Sequence, residues 1–102
     1  MNLGKAYNCS ELESLLDAKC STDNNFDFNT ISSLSKPVTD SLGFISKEGN
    51  YDLSKFRGLI VHNSFDLPES DNMILFKTTN VLKSVAKLFN HITPKLEYNL
   101  SS

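Results

Sequence analysis

Leu12, Leu15, Leu16 and Cys20 recur at i, i+3, i+4 and i+8, the spacing of one buried helical stripe. Ser10-Glu11-Leu12-Glu13 reads as a capping box, with Ser10 at N-cap and Glu13 at N3. Glu11, Glu13 and Asp17 add negative charge early in the helix, where its dipole favours it. The pattern predicts a helix over residues 11–20, ended by the polar run Ser21 to Asn25. A broader apolar face follows later in the chain, formed by Val81, Leu82, Val85, Leu88, Phe89 and Ile92. Thr78 or Thr79 would cap this second helix, and Pro94 would end it. Beyond it Leu96, Tyr98 and Leu100 alternate and could add an edge strand.

Between the two stripes the pattern changes. Gly58-Leu59-Ile60-Val61-His62 is a short, β-branched apolar run and predicts a buried strand. Met73-Ile74-Leu75-Phe76-Lys77 is a second such run, either a strand or a backward extension of the following helix. Phe26 and Phe28 alternate with polar residues, as in a short extended segment. Pro37 can open a helix and Gly43 can close one, so a short helix over 37–42 burying Val38 and Leu42 is predicted. Ile45 to Tyr51 flank the turn signal Glu48-Gly49-Asn50, which fits a hairpin or a loop.

These elements imply one α+β domain over residues 1–102, with 1–8 and 97–102 expected to be loose. A short, mostly antiparallel sheet from segments near 44–53, 58–62 and 73–77 would pack against an N-terminal and a C-terminal amphipathic helix. At 102 residues the chain is long enough to bury a core without metals or disulfides. Cys9 and Cys20, set far apart by the predicted helix, are expected to be free thiols. With no apolar run near Met1, the expected setting is the cytoplasm, with no membrane partner.

Charge sharpens the picture. The formal net charge of −2 conceals an acidic segment over residues 9–28 and a basic one over 72–102. Either these faces meet within the fold, or they make a bipolar surface for a partner. Nine of the ten basic residues are Lys, which argues against reading of DNA bases, where Arg supplies the bidentate contacts.

Candidate chemistry is sparse. Asp23, Asn25, Asp27 and Asn29 follow the spacing of a calcium loop. Phe28 stands where that loop needs Gly, and Leu34 where it needs a bidentate Glu, so no calcium site is expected. Cys9, Cys20, His62 and His91 lack the close spacing of a zinc site. The glycines are scattered, so no phosphate loop or dinucleotide fingerprint can be drawn, and no cofactor is expected. His62 could be oriented by Asp66 and serve Ser64 or Cys20 as nucleophile, the basis of a small hydrolase or transferase reading.

Two surfaces remain. Lys83, Lys87 and His91 repeat at i, i+4 and i+8, and Lys77 precedes them, giving a basic stripe on the second helix. Phe65, Asp66 and Leu67 sit in an acidic-apolar loop over residues 63–71, folding back on the core or exposed as anchors. The leading expectation is a non-catalytic protein-docking module: an adaptor, an assembly subunit, or a phage-type inhibitor of a host machine. A nucleic-acid-associated protein using the lysine stripe is the alternative, and the His62 enzyme the third.

Overall fold

A computed structural model gives the fold of residues 2–20, 26–47, 49, 51–65 and 73–100, with 93–100 described by backbone alone. The first helix, α1, spans Cys9–Leu16 and is capped by Asn8 rather than Ser10. Asn8 Oδ1 accepts the Glu11 N–H at 2.8 Å, and Glu11 Oε1 accepts the Asn8 N–H at 3.2 Å. The box is the predicted device, shifted two residues toward the N-terminus. The helix ends at Asp17, whose left-handed backbone (φ 51°) breaks the 3.6-residue repeat. The predicted span 11–20 is thus corrected at its C-terminal end as well. Lys19–Cys20 forms a strand, β2, tied back when Glu13 Oε2 accepts the Cys20 N–H at 3.0 Å.

Asn2–Tyr7, within the stretch expected to be loose, instead forms β1 and buries Leu3 and Tyr7. It pairs antiparallel with β3, Phe28–Thr30, which falls on the expected extended segment. The short helix over 37–42 is not present. Ser41–Phe44 is a strand, β4, with Gly43 inside it, and Val38 is 48% exposed. Local serine bonds replace helical ones: Ser32 Oγ accepts the Val38 N–H, and Ser41 Oγ donates to the Val38 carbonyl at 2.6 Å.

Phe56–His62 is β5 and Ile74–Thr78 is β6, so the second apolar run is a strand and no extension of the helix. These strands make a four-stranded sheet in the order β2-β6-β5-β4. The predicted mostly antiparallel sheet is corrected here. β4–β5 and β5–β6 are parallel, and only the short β2 joins β6 antiparallel. A parallel pair excludes a hairpin, so residues 45–55 are a crossing connection; Glu48 and Asn50 of the predicted turn lie outside the described residues. The unbroken apolar runs are what parallel strands, covered on both faces, require. An Ile31–Leu42 bridge, with the Ser32 N–H donating to the Leu42 carbonyl at 2.9 Å, links the β1–β3 ribbon to β4.

The second helix, α2, spans Val81–Leu100. Asn80 caps it in place of Thr78 or Thr79: its Oδ1 accepts the Lys83 N–H at 3.0 Å. Thr78 Oγ1 instead meets Ser84 Oγ at 2.8 Å inside the core. The helix runs through Pro94, so the predicted stop is corrected and Leu96, Tyr98 and Leu100 are helical rather than an edge strand. A mid-helix proline removes one backbone bond, here to Asn90, without ending the helix.

One face of the sheet, with Leu42, Ile60, Ile74 and Phe76, is covered by both helices through Leu12, Leu16, Val85 and Leu88. The other face, with Phe56, Leu59 and Val61, is covered by connecting segments through Leu34, Leu53, Phe65 and Met73. The fold is a small α+β domain with a mixed sheet. None of its described helices is long and apolar enough to cross a membrane.

Candidate functional site

The carboxyl ends of β4, β5 and β6 and the first turn of α2 surround a cavity of about 360 Å³. In sheets with parallel strands this edge is where ligands are usually held, because the connections diverge there. Ser46, Lys47, His62, Ser64, Thr79 and Asn80 supply its polar lining. Ile45, Phe65, Val81 and Leu82 supply the apolar part. Three distant stretches converge: the exit of β4, the exit of β5, and the β6–α2 junction.

His62 ends β5 and is exposed. The Ser64 N–H donates to His62 Nδ1 at 3.0 Å, and Ser64 Oγ lies 2.7 Å from the same nitrogen. A backbone N–H can only donate, so Nδ1 is the acceptor in this arrangement. The Ser64 hydroxyl therefore also donates to Nδ1. The loop is folded by the Phe65 N–H, which donates to the His62 carbonyl at 2.9 Å, and by the Asn63 N–H, which donates to the Thr78 carbonyl at 3.0 Å. On α2, Asn80 takes up the Lys83 N–H through its side chain and the Ser84 N–H through its carbonyl. The preceding N–H groups, of Val81 and Leu82, have no acceptor within the helix and belong to residues that line the cavity.

The residues singled out in the sequence are scattered by the fold. Lys83 and Lys87 are exposed on α2, but Lys87 Nζ lies 3.3 Å from Asp17 Oδ2. The acidic and basic segments therefore touch inside the molecule at this point. The His91 ring stands edge-on to Tyr7, with centroids 6.2 Å apart. Lys77 is on β6, opposite Lys19 of β2, and alternation from the core residue Phe76 puts it on the sheet face away from the helices. Phe65 folds back against the second core cluster and also lines the cavity. Asp66 and Leu67 lie outside the described residues, as do Asp23 and Asn25.

Cys9, Cys20, His62 and His91 fall on α1, β2, β5 and α2 in turn. β6 separates Cys20 from β5 and His62, whereas Ser64 is in contact with His62. Among the described residues, no three His, Cys, Asp or Glu side chains form a group that could hold a metal ion. Sequence reading singled out His62 and Ser64 for catalysis and Phe65 for docking, and gave Lys47, Thr79, Asn80 and Leu82 no part in a site. Recognising the two unbroken apolar runs as parallel neighbours would have pointed to their carboxyl ends.

No protein-family model, curated protein sequence or solved structure matches this chain.

Proposed function

We propose that the domain is a binding module for a small molecule with an anionic group and an apolar part, held at the carboxyl edge of β4, β5 and β6. The observation that carries this reading is the cavity itself. Its lining combines one cation, Lys47, with the Thr79 hydroxyl and an apolar wall of Phe65, Val81 and Leu82. A volume of about 360 Å³ lies within the usual range for small-ligand sites. No carboxylate is present among the described lining residues, so an anion would meet no like charge there.

Protein or nucleic-acid docking through Lys77, Lys83, Lys87 and His91 has less support. Lys87 and His91 are engaged with Asp17 and Tyr7, and Lys77 faces the other side of the sheet. The test is an NMR titration of the backbone amides with inorganic phosphate and with phenyl phosphate. Saturable shifts are expected at Lys47, His62, Ser64 and Leu82, tighter for phenyl phosphate, and weakened about tenfold in Lys47→Ala. Shifts that fail to saturate with either probe, or that saturate elsewhere, overturn the proposal.

A further inference from the structure

α2 carries two flanks beside its buried face. One bears Lys83, Lys87 and His91 and leans on α1 and β1, through Asp17 and Tyr7. The other bears Leu82, Ala86 and Phe89 at i, i+4 and i+7, which lie on one line along the helix. Leu82 is 61% exposed, Ala86 is exposed, and Phe89 is half-buried. The line runs from the cavity, which Leu82 rims, to a groove of about 360 Å³ that Phe89 lines. Val38 and Phe44 form the far wall of that groove. Val38 is 48% exposed, so the two most exposed large apolar residues described, Leu82 and Val38, line the cavity and the groove in turn. Scattered exposed apolar residues need no explanation, but a continuous strip does.

Charge identifies the occupant. Lys36 lines the groove and Lys47 lines the cavity at the other end. No carboxylate lines either depression among the described residues. A second copy of the chain would set this cationic rim against itself, because a two-fold interface pairs a patch with its own image. We propose that the Leu82–Ala86–Phe89 strip, with Val38 and Phe44, docks an acidic amphipathic helix of a protein partner. Its apolar residues lie along the strip and its carboxylates reach Lys36 and Lys47.

The probe is a synthetic helical peptide of Leu, Ala and Glu with its Leu on one face, and the same peptide with Lys in place of Glu. The Glu peptide should bind the intact chain saturably, with amide shifts along α2 and at Val38. Ala86→Glu, at an exposed site outside the cavity, should weaken binding about tenfold while leaving the circular dichroism unchanged. Lys36→Glu should weaken it by a comparable factor and leave phenyl phosphate binding at the cavity intact. Equal binding of the Lys peptide overturns the proposal, as does no saturation with the Glu peptide or no effect of Ala86→Glu. A concentration-dependent dimer that Ala86→Glu dissolves also overturns it, in favour of a second copy.

Discussion

Glu11 joins two local interactions. Its Oε2 lies 2.8 Å from Lys5 Nζ, and its Oε1 accepts the Asn8 N–H at 3.2 Å. The hydrogen bond from Lys5, then that from Asn8, holds the Glu11 carboxyl below its ordinary value of 4.5. A folded value below the unfolded one means the native state prefers the carboxylate. The contribution is complete above the unfolded value and is lost as pH falls through the folded one. The same pair raises Lys5 above its ordinary 10.5, and that contribution is lost as pH rises through the folded value. Both side chains meet solvent, so the effect is small and weakens with salt. Glu11→Gln should flatten the fall of the urea midpoint as pH drops through the carboxylate range. Some slope should remain, since Asp52 is also lowered by bonds from the Ser54 hydroxyl and N–H. Identical slopes in wild type and variant would refute the role given to Glu11.

Among elements, α2 separates burial from exposure most clearly. Leu88 is fully buried and Leu82 is 61% exposed, although both fall on the apolar side drawn from sequence. Leu88→Ala should therefore cost about 2–5 kcal/mol through the cavity it leaves. Leu82→Ala should stay within about 0.5 kcal/mol, as surface changes do. Urea unfolding of the two variants checks the contrast, and comparable losses would show that α2 is seated with a different face inward. The helical stripe gave the buried arc but drew it too wide. Period alone does not say how much of an apolar face a neighbour will cover. α1 shows the complementary limit: its capping chemistry was recognised, yet Asn8 won the cap because its side chain reaches the Glu11 N–H.

At the scale of the whole molecule, the radius of gyration of 13.3 Å is close to the roughly 13 Å of a compact domain this long. The β1–β3 ribbon and the four-stranded sheet are pressed together where Gly58 of β5 meets Phe28 of β3. A Cβ at Gly58 would stand 2.6 Å from the Phe28 ring and 3.2 Å from the Ile74 carbonyl. Phe28 is fully buried and stacks edge-on with Phe26 and Phe76, so its ring has little room to retreat. Gly58→Ala should lower stability by about 1–3 kcal/mol, read from the urea midpoint. A neutral result would mean that the two sheets can separate without loss.

The sequence by itself determined the single α+β domain, the strand at β5 and the buried line of α2, while the run at β6 left strand and helix both open. Each is written in contiguous residues, as a run or a period that shows which positions leave water. Tertiary structure alone decided the parallel pairing, because residues 45–55 and 63–73 are long enough to return a strand in either direction. It also decided that Lys87 meets Asp17, a contact between residues 70 apart in the chain. The cavity belongs to the same class, drawing on Lys47, His62 and Asn80 from three separate stretches of chain. Periodicity records that a face is buried but carries no information about its partner, and a site assembled from strand ends exists only once those partners are chosen.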